Sequence, residues 1–177
     1  TEVQVIEGLD PKTGVSDRRN AEDKAPFSAL VFKISTDPYV GSLAFFRVYS
    51  GSLKTGEKAH NPRTTSANRV GRMVQLHAND RTEVKEVGAG DIAALVGFKE
   101  LYTGDTLCSE KSQIVFEEMR FPEPVISLAV EPKSASEQDS LLEAIEKIMQ
   151  EDPSFRMSFD NESGQTLLSG MGELHLE

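Results

Sequence analysis

Tryptophan is absent from this sequence of 177 residues, cysteine occurs once and histidine three times, and each scarcity removes a class of chemistry. A single cysteine, Cys108, excludes an intramolecular disulfide framework and suits a reducing compartment. His60, His77 and His175 lie far apart, with no CxxC or HxxxH spacing, so no metal site is expected. No run approaches the roughly 18 apolar residues that a membrane span needs, and the Thr1 start shows neither a basic n-region nor an apolar h-region. The expectation is a cytoplasmic protein without membrane contact. Cations are the other shortage: 19 Lys and Arg stand against 29 Asp and Glu, a formal net charge of -10. So acidic a chain does not wrap nucleic acid by bulk attraction, and any RNA contact has to be local.

What is present is short and periodic. Between Phe27 and Leu107, β-rich runs (FSALVFKIST, SLAFFRVYSGSL, NRVGRMVQL, DIAALVGF) alternate with glycine-centred turns and carry no long helical period. With 38% hydrophobic residues available for a core, this pattern predicts a closed antiparallel β-barrel. Leu30, Phe32 and Ile34 alternate with Val31, Lys33 and Ser35, and Phe46 and Val48 with Phe45, Arg47 and Tyr49, so each strand should set one face on the core. Gly56-Glu57, Gly90-Asp91 and Gly104-Asp105 repeat a glycine-acid pair in which the glycine is free to take a positive φ.

The organisation predicted is a connector over 1–24, the barrel over 25–118 and a smaller unit over 119–177. Residues 3–6 (VQVI) allow a short extended piece, but Gly8 to Pro26 is charged and turn-rich and reads as exposed loop. The composition changes at Met119 to Pro124 (MRFPEP), where two prolines stiffen the chain. Beyond it, Ile126, Leu128 and Val130 alternate as a strand. A capping box at Ser134-Ala135-Ser136-Glu137 opens a helix, with Leu141, Leu142, Ile145, Ile148 and Met149 on its apolar stripe. Asp152-Pro153 ends it, and two more strands follow, around Phe155 to Phe159 and Thr166 to Ser169. Strand, helix, strand, strand is the first part of a ferredoxin-like β-α-β-β arrangement, which is expected to break off at its second helix, near Glu173, leaving part of its small sheet uncovered. The fold class is therefore mainly β plus α+β.

The segments TDPYVGSLAFFRVYSGSLKTGE, HANDRTEVKEVGAGDIAALVGFKELYTGDTLC, FPEPVISLAVEPKS and QEDPSFRMSFDNESGQTLLSGMGELHLE, in this order, resemble bacterial elongation factor G across its second domain and most of its third. The resemblance runs from Pro26 onward. It implies a translational GTPase whose nucleotide-binding domain precedes Thr1 and which promotes GTP-dependent movement of tRNA and mRNA on the ribosome. No GxxxxGK[ST], DxxG or NKxD element occurs here, so neither catalysis nor GTP and Mg2+ binding is expected of these residues; those cofactors would belong to the GTPase domain. Sister translational GTPases that protect or associate with ribosomes share such a barrel, and a stand-alone oligonucleotide- or sugar-binding barrel is a further alternative. The latter usually carries stacking aromatics on an exposed face, whereas Phe32, Phe45, Phe46 and Tyr49 fall at core-like alternation.

The same resemblance nominates residues. Gly170, Met171, Gly172, Glu173 and His175 form the family's strand-to-helix turn facing the GTPase domain, and Pro124 and Asp152 line the same seam. Without the resemblance, GMG reads as a helix entry, Pro124 as a stiffener and Asp152 as a helix stop. The ribosome is the implied partner, through small-subunit rRNA and a small-subunit protein, with the fragment itself monomeric. For rRNA contact Arg63, Arg69 and Arg72 are singled out, with Lys33 and Arg47 behind them, since an acidic chain needs clustered cations to approach phosphates.

Overall fold

In the computed structural model, which describes residues 5–37, 39–77, 80–98, 100–116, 122–132, 134, 136 and 138–176 (the side chains of His77 and Asp80 excepted), glycine turns set the path of the first half. The chain divides into two compact units, Thr1–Glu118 and Met119–Glu177. The first carries β1 (Val5–Leu9), β2 (Ser16–Asn20), β3 (Ser28–Asp37), β4 (Gly41–Ser50), β5 (Leu53–Lys54), β6 (Lys58–Asn61), β7 (Ser66–Arg69), β8 (Arg72–His77), β9 (Asp80–Val84), β10 (Glu86–Val87), β11 (Ile92–Val96) and β12 (Thr106–Cys108). Among the described residues its main sheet is eight-stranded, in the order β7-β6-β12-β3-β4-β11-β8-β9, with β10 paired to β5. It forms an antiparallel barrel around Ala29, Val31, Phe46, Val48, Leu53, Met73, Val87, Leu95 and Leu107, each no more than 2% exposed.

The three glycine-acid pairs do the same thing three times. Gly56, Gly90 and Gly104 have φ of 92°, 94° and 96°. The acid after each glycine donates its N–H three residues back, to Lys54, Gly88 and Tyr102 respectively. Its carboxylate accepts the N–H of that same residue, at 2.9, 2.9 and 3.0 Å. Each glycine N–H then donates to the carbonyl of one valine on a crossing strand or its edge, and that valine's N–H donates to the acid's carbonyl: Val70 with Gly56-Glu57, Val48 with Gly90-Asp91 and Val31 with Gly104-Asp105, all at 2.7–2.9 Å. The valines are buried to within 1%. Each turn is thus a two-bond clamp on a core residue.

In the first unit two expectations need correction. The segment over 8–26 is not an exposed loop: β1 pairs with β2 as an antiparallel hairpin, and Leu9 exchanges both backbone hydrogen bonds with Val115. Ile6 joins Leu30, Tyr49, Cys108, Ile114 and Phe116 in a cluster on the outer side of the barrel. A Cβ at Gly8 would lie 2.7 Å from both Ile114 Cγ1 and the Val115 carbonyl oxygen, so glycine is what lets the hairpin seat. The second correction concerns β3, where the register shifts between Val31 and Lys33. This bulge inserts Phe32, so Val31 and Ile34 both point inward while Phe32 is 38% exposed.

The second unit holds β13 (Ile126–Val130), α1 (Gln138–Glu151), β14 (Arg156–Asp160), β15 (Gln165–Gly170) and α2 (Glu173–Leu176). Its antiparallel sheet runs β13-β15-β14, the strand order of a ferredoxin-like half. Ile145, Phe155 and Leu168 are its buried centre, with Val130, Leu141, Met149, Met157 and Leu176 packed around them. Leu142 and Ile148 leave the expected helical stripe and are 37% and 44% exposed. On the sheet, Leu128, Leu168 and Met157 lie in one row and Val130, Thr166 and Phe159 in the next, yet Leu128 is 42% and Phe159 62% exposed. Ala135 and Glu137 of the capping box, and Met119 to Phe121 of the expected boundary, lie outside the described residues.

A comparison of two glycines separates backbone strain from steric clash. Gly90→Ala meets open space and should cost only the left-handed backbone penalty, about 1–2 kcal/mol. Gly51→Ala puts a Cβ 2.5 Å from the Ala25 carbonyl and 2.6 Å from Phe27 Cα, and should cost about 3–5 kcal/mol. Urea denaturation followed by circular dichroism measures both; equal losses would contradict the close approach at Gly51.

Candidate functional site

In the second unit most of the residues that the resemblance nominates gather at the end of β15. His175, on α2, folds back so that its Nδ1 accepts the Met171 N–H at 2.8 Å and its Nε2 lies 2.8 Å from Asp152 Oδ2. A Cβ on Gly170 would sit 2.8 Å from His175 Nδ1 and 2.7 Å from Leu176 Cδ2, which is why that position tolerates no side chain. The Gly170 carbonyl also accepts the Val125 N–H at 2.9 Å, which fixes the residue after Pro124 to the same strand end. Pro124 is half-buried, while Met171 and Glu173 are exposed. The structure therefore ties Asp152, Gly170, Met171 and His175 into one linked turn, places Pro124 next to it in sequence, and leaves Met171, Glu173 and the 90% exposed Leu174 on its surface.

Asp152 caps this arrangement. Burial works to raise its pKa, but the Ser154 hydroxyl at 2.6 Å, the Ser154 N–H at 2.8 Å and His175 outweigh it and hold the carboxyl below the usual range.

In the barrel, strand register decides which cations can act together, because residues directly opposite share one side of a sheet. Lys33, Phe45, Ala94, Val74 and Glu83 form one such row. Arg47 and Ile92 are opposite one another in the next, and Leu76 and Arg81 are paired on β8 and β9. Leu43, Val96 and Arg72 make a third row. Lys33, Arg47 and Arg72 thus share the outer face, around a small apolar cluster of Val40, Leu43, Phe45, Val74, Ala94 and Val96. Phe32, Leu76 and Ile92 are exposed at 38%, 41% and 49%, and the Phe32 and Phe45 rings stand 6.4 Å apart. The expectation that these phenylalanines face the core fails for this pair: the bulge turns Phe32 outward, and Phe45 lies on the outer side of β4 by ordinary alternation with buried Phe46. Lys33 and Arg47 lie over the Phe45 and Tyr49 rings, each 5.9 Å from the centroid.

Arg81 stands beside this group and was not legible from sequence; it bonds Asp37. That bond, with the N–H groups of Tyr39 and Val40, pulls the Asp37 carboxyl from 3.8 down to about 2.

Arg63 and Arg69 are placed elsewhere. Arg63 grips Asp105 through Nε and Nη2 at 2.6 and 2.9 Å, donates to the Glu100 carbonyl and stacks 4.6 Å over Tyr102. Asp105 is 6% exposed and also accepts from Asn61 at 2.9 Å. Its carboxylate is the one that closes the third glycine-acid turn, so Arg63 serves the fold first. Arg69 Nε donates to the Gly56 carbonyl at 3.1 Å, at the first of those turns.

Comparison with known proteins agrees with this architecture. Residues 26–110 match the family described as Elongation factor G domain 2, and residues 121–177 match Elongation Factor G, domain III. A crystal structure of a Thermus thermophilus protein is similar at 32% sequence identity and a TM-score of 0.70, over 85% of this chain and 23% of that one. This chain thus spans under a quarter of that relative.

Two outcomes follow from the ion pairs. Asp37's folded pKa lies below its ordinary value, so its stabilisation is present above about 3.8 and is lost as pH falls towards about 2. Thermal melts between pH 5 and 2 should show Asp37→Asn flattening that part of the acid limb; an unchanged slope would contradict the Arg81 pairing. Arg63→Ala should lose about 1–2 kcal/mol by leaving buried Asp105 short of a partner, while Arg69→Ala stays within about 0.5 kcal/mol; equal effects in urea melts would contradict the structural role of Arg63. On its two family matches and its fold, the chain belongs to the elongation factor G family of translation factors, from which it carries domain II and domain III sequence.

Proposed function

We propose that this chain is the docking middle of a ribosomal translocase, whose GTP hydrolysis drives tRNA and mRNA along the ribosome in the cytoplasm. In this reading the barrel leans on small-subunit rRNA through the Lys33, Arg47 and Arg72 face, with Arg81 at its margin. The turn formed by Asp152, Gly170, Met171, Gly172, Glu173 and His175, with Pro124 before it, meets the protein's own GTPase domain, and the same unit touches a small-subunit protein. GTP and Mg2+ belong to that GTPase domain; the residues here have no phosphate-cradling motif, and no step is assigned to them. Their contribution is mechanical: two rigid units whose docked surfaces are biased by the nucleotide state.

The observation that carries the rRNA reading is local charge. In a chain of net charge -10, strand register puts three exposed cations on one face beside exposed Phe32, Leu76 and Ile92. Cations meet phosphates and apolar side chains meet bases or sugars. The Arg72 to Glu83 contact, at 3.6 Å between two exposed side chains, is too weak to hold Arg72 from a phosphate.

The test is binding of the chain to purified bacterial small ribosomal subunits across a salt series. Lys33→Ala, Arg47→Ala and Arg72→Ala combined should weaken binding more than about tenfold and reduce the log K against log salt slope by about 2–3, whereas Arg69→Ala should leave both unchanged. Equal binding by the triple variant would overturn the assignment of this face.

A further inference from the structure

α2 is described over Glu173–Leu176, and one of its side chains ties it to two other elements. His175 Nδ1 takes the Met171 N–H and its Nε2 meets Asp152 Oδ2, both at 2.8 Å. A backbone amide only donates and an ionised carboxylate only accepts. The imidazole proton therefore sits on Nε2, and the neutral ring has one permitted tautomer. The ring is wedged further by Phe155, edge-on at 5.9 Å between centroids, and by Gly170, where any Cβ would crowd Nδ1.

We propose that His175 is a proton-operated latch on this turn: neutral, it holds the Met171 amide and Asp152 together; protonated at Nδ1, it keeps Asp152 and lets the Met171 amide go. The direction follows from the two contacts. A proton on Nδ1 would face the Met171 N–H, donor against donor, and that bond cannot survive. The Nε2–H to Asp152 bond, already charge-assisted by the ionised carboxylate, becomes a full ion pair at the same moment and is retained. Among the described residues, Asp152 faces the ring from the end of α1, Glu173 is an exposed acid on the ring's own helical turn, and Phe155 and Gly170 add no charge. Ser154 donates twice to Asp152 Oδ1, which holds this carboxylate in its ionised form. Release would free the backbone beneath exposed Met171 and Glu173. That consequence for docking rests on the reading of this turn as the GTPase-facing seam; the latch itself does not.

The test is 15N NMR of the whole chain through an acid titration. Long-range couplings should show the Nε2–H tautomer at neutral pH. As the ring protonates, the Met171 amide should shift with the same midpoint, and its exchange rate, corrected for intrinsic pH dependence, should rise at least about fivefold, the loss of one hydrogen bond. The Asp152 carboxyl 13C signal should stay that of an ionised group across the same range. His175→Gln cannot titrate and should leave the Met171 amide flat; if that variant does not fold, the wild-type titration decides alone. An Nδ1–H tautomer, a Met171 amide indifferent to ring protonation, or the same response in His175→Gln would each overturn the latch. None of these readouts involves the ribosome or a GTPase domain, so the latch and the docking reading fail separately.

Discussion

The barrel depends on a turn that closes on itself and on a distant strand at once. In each of its three copies a glycine at positive φ presents its N–H, and the following acid its carbonyl, to the two backbone groups of one buried valine. The acid's side chain meanwhile fixes the residue that starts the turn. Backbone groups at a strand end would otherwise be buried without partners, at about 1–3 kcal/mol each. The clamps remove that cost at three places and tie turns to strands far apart in sequence, such as Gly104 to Val31. A scaffold so pinned can carry an outer surface without that surface having to hold it together.

That division of labour explains where the cations go. Arg63 and Arg69 attach to two of the clamp turns and work inward, on Asp105 and on the Gly56 carbonyl. Lys33, Arg47 and Arg72 stand on strands between clamps and, among the described residues, pair with no buried acid. The bulge at Phe32 belongs to the same design: it keeps Val31 in its clamp and Ile34 in the core while turning an aromatic ring outward beside Phe45. In the smaller unit one carboxylate, Asp152, plays the corresponding part by joining the end of α1 to α2 through His175.

Much of this was legible in the sequence because it rests on local rules. Glycine before an acid between β-rich runs predicts a positive φ, and all three positions have it. Phe46 and Val48 were readable as core from a period of two, and the strand-helix-strand-strand order from a helical stripe that proline ends. The rest needed contacts that no local pattern encodes. The β1–β2 hairpin has the polar sequence SDRRN on one strand and is stable only because Gly8 lets it press on Ile114 and Val115, more than 100 residues away. One inserted residue in β3 turns Phe32 outside. Arg63 looked free because Asp105, which holds it, lies 42 positions downstream. Which cations share a face is a matter of register, and register is not written in the spacing of Lys33, Arg47 and Arg72.

Native-state hydrogen exchange at the amides of Val31, Val48 and Val70 tests the clamps most directly. If these three turns hold the barrel, all three amides exchange only through global unfolding of the unit, with the same protection as one another and as the strand centres around Phe46. Should any of the three exchange by local opening at a protection well below that of Phe46, that clamp is an ornament of the fold and the account of the barrel is wrong.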